Sequence, residues 1–394
     1  MNEDILHGLN EAQREAVINY DGPSLIIAGA GSGKTRVLTT RIAYMLQQGV
    51  APQSILALTF TNKAAREMRE RIERLVGRDA RYIRMGTFHS VFARLLRENA
   101  EKIGFPQSYT IYESNDAKNL VKAIIKDMNL SEERYKPQAV AARISMAKNC
   151  LITPGAYVAN ASLGAEDREM KMPEIGAIYA EYCRRCKQNG AMDFDDLLVN
   201  TYRLFKEYPE VCRQYVERFR YVLVDEYQDT NYVQHQIISQ LTTPESCISV
   251  VGDDAQSIYG FRGARIENIL GFTRQYPTAK VIKLECNYRS TGTIVGAANA
   301  IIAHNQNQIP KHIYSNQGEG DALQLFATAS DKDESYRVAS EIKRLNRQKG
   351  VEHSDIAVLY RTNAQSRSFE DAFRLQNIPY RIYGGLSFHQ RKEV

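Results

Sequence analysis

The chain has 394 residues, which corresponds to roughly two to three domains at about 150 residues each. Hydrophobic residues make up 43% and charged residues 25%, a composition that argues against a disordered, collagen-like or fibrous protein. No apolar run approaches the roughly 18 residues of a membrane span, the N-terminus lacks a secretion signal, and six cysteines are too few for a disulfide scaffold. We therefore expect a soluble cytoplasmic protein with no membrane partner.

The net charge of +5 is concentrated in one stretch of the sequence. Residues 58–102 hold 11 Lys and Arg against 6 Asp and Glu, so the rest of the chain sums to zero. A local basic surplus is weak evidence for a polyanionic partner, because a solvated helix face has the same composition. Tyr and Phe are plentiful and Trp is absent, so any stacking on nucleic acid bases must use Tyr or Phe.

The first 110 residues alternate between strand and helix patterns. Apolar runs at 24–28 and 54–60 predict buried parallel strands, and helical patterns follow at 34–48 and 62–75. Such alternation indicates βαβ units and a parallel sheet.

Helical periodicity dominates from 111 to 190, where strand signals disappear, and we interpret this stretch as a helical insertion. Strand patterns then return. They lie at 221–224, 247–251, 281–284, 323–326 and 356–360.

A glycine-rich loop joins the first predicted strand to the helix that follows it. Its glycines allow backbone N–H groups to turn inward around phosphates, and the helix N-terminus adds positive potential. Lys34 would reach the β- and γ-phosphates, and the Thr35 hydroxyl would hold Mg²⁺. The strict pattern has Gly where this chain has Ala28. The predicted loop residues are Ala28, Gly29, Ala30, Gly31, Ser32, Gly33, Lys34, Thr35 and Arg36.

Two further strand ends carry polar side chains that suit the same site. Asp225 follows the strand at 221–224 and would take Mg²⁺ through water, while Glu226 would orient or deprotonate the attacking water. Gln256 follows the strand at 247–251, where an uncharged amide could sense the state of the nucleotide. Because ligands bind at the carboxyl ends of parallel strands, we expect these residues to lie at one edge of the sheet.

The loop after Gln256 combines two aromatic residues with an arginine. Tyr259, Phe261 and Arg262 fall within four residues of a glycine-flanked loop, and this composition is typical of a loop that stacks on single-stranded bases and holds a phosphate. The alternative is that Tyr259 and Phe261 anchor the loop against the core.

Seven segments, in the same order along the chain, resemble the motif series of the UvrD/PcrA/Rep type of superfamily 1 DNA helicase. They are 9–13, 28–35, 58–65, 86–90, 224–229, 287–290 and 358–363. The resemblance implies an α/β fold with a RecA-like motor domain built on a parallel sheet, a helical insertion and the start of a second RecA-like domain. It also implies ATP-driven 3′→5′ movement on single-stranded DNA and duplex unwinding at single-strand/double-strand junctions, in repair or replication.

The resemblance assigns further residues to the two ligands, ATP with Mg²⁺ and DNA. Gln13 corresponds to the glutamine that reads adenine, Tyr288 to a side chain that stacks on it, and Arg289 to an arginine that reaches the γ-phosphate. Phe261 stands where many members carry Trp. The expected DNA contacts are Thr59, Phe60, Thr61, Asn62, Thr87, Phe88, His89, Tyr259, Phe261 and Arg262.

From these observations we predict a first motor domain in two parts, 1–110 and 191–280, interrupted by the insertion at 111–190. Residues 281–394 would form the start of a second motor domain, because the family's last motifs and its large second insertion lie beyond this sequence. We accordingly expect the chain alone to bind ATP, to hydrolyse it very slowly and not to unwind duplex.

Two other functions fit part of the sequence. A transporter-type ATPase or nucleotide kinase would use the same phosphate loop, but the Leu-Ser-Gly-Gly-Gln signature of transporters is missing and the aromatic loop would be unexplained. A non-catalytic module that grips single strands under ATP control is disfavoured by Glu226. We interpret Cys183 and Cys186 as a near-surface thiol pair on a helix, and 193–198 as the cap and first turn of a helix.

Overall fold

The computed structural model describes residues 5–383, and the chain divides into two compact units between Asp321 and Ala322. The first unit begins with the predicted alternation of strands and helices. Its first elements are α1 (Glu11–Ile18), β1 (Ser24–Ala28), α2 (Lys34–Gln47), β2 (Ile55–Thr59), α3 (Asn62–Val76), β3 (Arg84–Thr87) and α4 (Phe88–Asn99). The sequence pattern did not indicate β3. This strand has only four residues, and because it begins with the charged Arg84 and contains Gly86 it shows no apolar run.

The helical insertion follows α4. Its elements are β4 (Thr110–Tyr112), α5 (Ser114–Asp127), α6 (Pro137–Asn149), α7 (Pro154–Ala159), α8 (Ala161–Glu169), α9 (Ile175–Gln188) and β5 (Ala191–Asp193). The helices enclose an apolar core of their own that includes Ile124, Ile144 and Ile178. Strands β4 and β5 pair in parallel at the two ends of the insertion, a pairing that the sequence did not indicate because each strand has three residues. Cys186 on α9 is buried in this core, so the interpretation as a near-surface thiol pair is wrong.

The chain then returns to the sheet. The remaining elements of the first unit are α10 (Phe194–Glu207), α11 (Pro209–Arg218), β6 (Tyr221–Val224), α12 (Tyr232–Leu241), β7 (Cys247–Gly252), α13 (Glu267–Leu270), α14 (Phe272–Gln275), β8 (Lys280–Leu284), β9 (Cys286–Asn287), α15 (Gly292–Ile302) and β10 (Tyr314–Ser315). Asp193 caps α10 with a reciprocal bond to Asp196, which confirms the predicted cap.

Six parallel strands form the central sheet in the order β3-β2-β6-β7-β1-β8. Successive side chains point to opposite faces, so each strand contributes to two apolar cores. Leu25 and Ile27 face the core shared with α4, α10 and α12, whereas Ile26 and Ala28 face the core shared with α1, α2 and α3. Both faces are covered, as a parallel sheet requires, and the carboxyl ends of all strands meet at one edge.

Strand β8 lies at the edge of this sheet and pairs with β1, from Ser24 opposite Lys280 to Ala28 opposite Leu284. The first compact unit continues beyond it to Asp321. The predicted domain boundary between residues 280 and 281 therefore falls just after the first residue of β8. The division of the chain into two motor domains stays a prediction.

The second unit contains α16 (Asp331–Lys349) and α17 (Ser366–Leu375), packed around Ile342, Phe369 and Phe373. Residues 323–326 and 356–360 are predicted as strands, but neither run forms a strand in the described part of this unit. A strand is stable only when it pairs with a neighbouring one, and neither run has such a partner there. The alternation is nevertheless real at 356–360, where Ile356, Val358 and Tyr360 pack against the core.

Among residues 5–383, no helix has the length and apolar character needed to cross a bilayer.

Candidate functional site

The loop between β1 and α2 has the shape of a phosphate cradle. Gly31 and Gly33 have φ angles of +70° and +88°, a region that side chains other than Gly rarely adopt. A Cβ on Gly31 would lie 2.7 Å from Cβ of Arg289, so glycine is also needed there for close approach. The Ser32 hydroxyl donates to the carbonyl of Gly29 (2.7 Å) and closes the turn. Lys34, Thr35 and Arg36 then form the first turn of α2, as predicted.

The acidic strand end lies directly opposite this loop. Lys34 Nζ is 3.2 Å from Glu226 Oε2, which joins the two predicted halves of the site, although 192 residues separate them in sequence. Gln228 Nε2 donates to the same carboxylate oxygen (2.9 Å). The backbone of Glu226 has a φ of +50°, a strained conformation for a side chain other than Gly, which the surrounding contacts must stabilise.

Three carboxylates, those of Asp225, Glu226 and Asp229, lie around the single positive charge of Lys34. Burial, followed by repulsion from Glu226, raises the pKa of Asp225 to about 7. The same two causes raise the pKa of Asp229 to about 6, and its Oδ1 atom is buried with no hydrogen-bond partner. Among the described residues no group of three such side chains forms a metal site by itself, but Mg²⁺ is usually held by only one or two carboxylates together with phosphates. Asp225 and the Thr35 hydroxyl are the residues that would hold it.

Gln13 lies against the phosphate loop from the N-terminal side. It is buried, and its Nε2 donates to the carbonyl of Ser32 (2.9 Å) while its Oε1 accepts from the backbone of Asn10 (3.2 Å). Asn10 caps α1 in return and donates to the hydroxyl of Tyr288 (2.7 Å). The predicted adenine-side residues, Gln13 and Tyr288, are therefore linked through Asn10.

The segment after β9 packs onto the loop. The Asn287 amide donates to the carbonyl of Ala30 (2.6 Å), and the backbone N–H of Tyr288 donates to the carbonyl of Gly31 (2.9 Å). Asn287 Oδ1 accepts from the backbone of Arg289 and of Ser290, each at 2.8 Å. These bonds hold Arg289 beside the loop with its side chain exposed.

Three aromatic rings form a continuous surface at the same edge of the sheet. Phe60 follows β2 and stacks on Tyr259, with ring centroids 5.6 Å apart and an interplanar angle of 28°. Tyr259 in turn contacts Phe261 at 5.9 Å, and the Arg262 guanidinium lies 5.2 Å and 5.5 Å from the centroids of Tyr259 and Phe261. Phe261 is 76% exposed, which rules out the alternative that it anchors the loop in the core. We call Phe60, Tyr259, Phe261 and Arg262 the aromatic platform.

Of the other predicted DNA contacts, Thr61 and Thr87 are N-caps, accepting from the backbone of Ala64 and Ser90, and Asn62 is exposed in the first turn of α3. The structure separates Phe88 and Thr59 from the platform. Phe88 is 2% exposed and packs against Phe92, and Thr59 is fully buried, so neither side chain is available to a base. His89 is half-buried with its ring edge-on to Phe194 at 6.0 Å, and burial lowers its pKa.

Two family models match the sequence. One describes the UvrD/REP helicase N-terminal domain and matches residues 9–277, and the other describes the UvrD-like helicase C-terminal domain and matches residues 282–394. The chain belongs to the UvrD/REP helicase family. Relatives named ATP-dependent DNA helicase PcrA, from Staphylococcus epidermidis and Staphylococcus aureus, are 45% identical to it over 391 residues, which is 99% of this chain and 53% of each relative. The chain thus spans about half the length of the curated relatives it matches.

Several residues that organise the site in this UvrD/REP family member were not singled out from the sequence. Gln228 lies inside a recognised motif, but only the structure shows that it donates to Glu226 and accepts from the backbone N–H of Asp253 (3.1 Å). A Cβ on Gly252 would lie 2.6 Å from Gln228 Oε1, so glycine is needed beside it. Asp253 also accepts from Gln256 Nε2 (2.7 Å), which fixes the predicted sensor residue.

Proposed function

We propose that this chain contributes the nucleotide site and a DNA-binding surface to an ATP-dependent DNA translocase and helicase, which moves 3′→5′ on single strands and acts at single-strand/double-strand junctions in repair or replication. One observation carries the proposal: the Lys34–Glu226 pair and the aromatic platform lie at the same edge of one parallel sheet. The family and the relatives named ATP-dependent DNA helicase PcrA support the ATP-dependent helicase part of this proposal. A cytoplasmic location follows from such a role.

ATP with Mg²⁺ supplies the phosphoryl group and a charge that offsets the surrounding carboxylates. Within the chain, the loop N–H groups and Lys34 bind the phosphates, and Lys34 exchanges its contact with Glu226 for them. The freed Glu226 carboxylate, still held by Gln228, accepts the proton of the attacking water. Asp225 and Thr35 hold the cation.

Three other side chains complete the nucleotide site. Gln256 presents its amide oxygen to the attacking water, while Asp253 holds the amide nitrogen. Arg289, which lies beside Gly31 of the loop, offsets charge on the γ-phosphate. Gln13 and Tyr288, joined through Asn10, bind the adenine, and Arg36 adds positive charge at the start of α2.

The aromatic platform binds single-stranded DNA by stacking, with Arg262 contacting phosphate. Stacking accepts every base, because each has a π-face, so binding is tolerant of sequence. The platform connects to the nucleotide site through its own backbone: the loop that carries Tyr259 starts at Gln256, and the Ser257 hydroxyl donates to the carbonyl of Gln228 (3.2 Å). This short path would make hydrolysis respond to DNA.

The test is ATP hydrolysis by the chain with and without single-stranded DNA, together with DNA binding. Stimulation by DNA supports the proposal. Hydrolysis that ignores DNA would favour another P-loop enzyme, and DNA binding without turnover would favour a non-catalytic module. Displacement of a labelled strand is measured on substrates with 3′ or 5′ single-stranded tails. The chain alone should displace neither strand, and unwinding from the 5′ tail alone would contradict 3′→5′ movement.

A further inference from the structure

A buried lysine lies next to the predicted sensor and belongs to none of the recognised motifs. Lys311 is in the loop between α15 and β10, and its side chain is 6% exposed. Its Nζ is 3.1 Å from Asp253 Oδ1 and 2.5 Å from Asp254 Oδ1, and the Asp254 carboxylate is fully buried. Charged groups are buried only when they are paired, and removing one partner leaves an uncompensated charge. This cluster therefore depends on Lys311.

The carboxylate that receives Lys311 also determines the orientation of Gln256. An ionised carboxylate can only accept hydrogen bonds, so the amide of Gln256 must turn its Nε2 atom toward Asp253 Oδ2, which lies 2.7 Å away. The amide oxygen is then the end left to accept from water. Were Asp253 able to donate, the amide could reverse and would present N–H groups to the nucleotide instead.

The contacts continue from Lys311 to the phosphate-binding lysine without a break. Asp253 donates its backbone N–H to Gln228 Oε1, and Gln228 Nε2 donates to Glu226 Oε2, which pairs with Lys34. A second branch fixes the loop of Lys311 itself, because the backbone N–H of Ile309 donates to Asp254 Oδ2 (2.9 Å). Lys311 thus pairs with the carboxylates of Asp253 and Asp254, which follow β7. A continuous series of polar contacts joins this pair to Lys34.

We propose that Lys311 is a positioning residue: it holds the Asp253 carboxylate in the place where that carboxylate fixes which end of the Gln256 amide faces the nucleotide. The proposal rests on the proposed function, because it requires Gln256 to act on ATP or its attacking water. It differs from that function in assigning the orientation of the sensor to a residue 55 positions farther along the chain.

The decisive variants are Lys311→Met, which removes the charge at similar length, Lys311→Arg, which restores it, and Asp253→Asn, which keeps the shape but allows the group to donate. Lys122→Met is the matched control, because Lys122 also forms an ion pair, with Glu132 at 2.9 Å, but is exposed. Circular dichroism and thermal unfolding establish which variants are folded. Asp253→Asn, which removes no atoms from the packing, tests the proposal if Lys311→Met does not fold.

In DNA-stimulated hydrolysis we expect Lys311→Met and Asp253→Asn to lower kcat about 10-fold or more while the KM for ATP changes less than about 3-fold. Lys311→Arg should recover part of kcat, and the control should equal the parent. Combined with Gln256→Ala, Lys311→Met should cause little further loss, because both act on one group. Additive losses, or a loss confined to KM, would overturn the proposal.

Amide hydrogen exchange without nucleotide tests the same cluster independently of activity. Lys311→Met should increase exchange at Ile309 and across 253–257, and Lys122→Met should not. Unchanged exchange would overturn the proposal even if hydrolysis falls. If the parent shows no DNA-stimulated hydrolysis, the proposed function fails on that result, while exchange still decides whether Lys311 holds this segment.

Discussion

The nucleotide site and the aromatic platform lie at the same edge of one sheet but are held in opposite ways. Side chains of the nucleotide site are fixed by directional bonds, as in the path from Lys34 through Glu226 to the buried Gln228. The platform is held by ring contacts, and its outermost ring, Phe261, is largely exposed. Directional bonds require particular atoms, whereas stacking requires a flat apolar surface. Replacing one functional group should therefore do far more damage in the nucleotide site than in the platform.

Glu226→Gln should show the largest effect. The amide keeps the shape but cannot take a proton, so we expect kcat for ATP hydrolysis to fall about 10²–10⁴-fold. Nucleotide binding should persist, because the substitution removes a negative charge beside the phosphates. Steady-state hydrolysis and binding of a fluorescent ATP analogue measure the two properties. A variant that keeps more than a tenth of the parent's turnover would show that Glu226 is not the base.

Lys34→Ala should abolish turnover and also weaken nucleotide binding. Losing a charge-assisted bond to phosphate costs about 1.5–3 kcal/mol, which corresponds to a Kd roughly 10- to 150-fold higher. The substitution also leaves Glu226 without its ion pair. Titration with the same analogue measures the change, and Lys122→Ala, an exposed lysine of the insertion, serves as control. Equal affinities for parent and Lys34→Ala would contradict the assigned cradle.

Tyr259→Ala and Phe261→Ala should each weaken single-stranded DNA binding by about 1–3 kcal/mol, with little preference for sequence. Phe261→Trp should bind at least as well as the parent, because a larger ring preserves the stack. Fluorescence anisotropy at several salt concentrations provides the measurement, since contacts to phosphate make affinity fall steeply with salt. Tyr336→Ala replaces an exposed tyrosine on α16 as control. Unchanged affinity in the Tyr259→Ala/Phe261→Ala double variant would exclude the platform as a binding surface.

The same contrast explains what could be predicted from the sequence. Phosphate-loop and strand-end residues were identified because local patterns specify them: an apolar strand, then glycines or acids, then a helix. The parallel sheet then brings Lys34 and Glu226 together regardless of their separation in sequence. Residues such as Gln228 and Lys311 act through partners on other elements, and no local pattern marks them.

Burial was the property that the sequence predicted least well. Phe88 and Thr59 belong to segments that resemble strand-contacting motifs, yet the side chain of each points into the core. The pattern could not separate them from Phe60, because the residue at which β2 ends and the turn into α4 decide which side chain reaches the surface. The runs at 323–326 and 356–360 show a related limit. An alternating pattern specifies which side chains face the core, as at 356–360, but not which neighbouring strand the segment pairs with.

The smallest effect we expect is a pH-dependent change in stability, which should occur for a substitution in the nucleotide site but not for one in the platform. Because the pKa of Asp225 is raised to about 7, the folded state binds more protons than the unfolded chain between about pH 4 and 7. Stability is therefore lost as pH rises through this window, and the full cost is present above it. Asp225→Asn, which carries no charge to bury, should unfold a few degrees higher than the parent at pH 8, with a smaller difference at pH 5. Asp79→Asn, at an exposed carboxylate, and Phe261→Ala, in the platform, should show no such pH-dependent difference. A gap between Asp225→Asn and the parent that is the same at both pH values would mean that Asp225 is ionised throughout, and burial and Glu226 would then not raise its pKa.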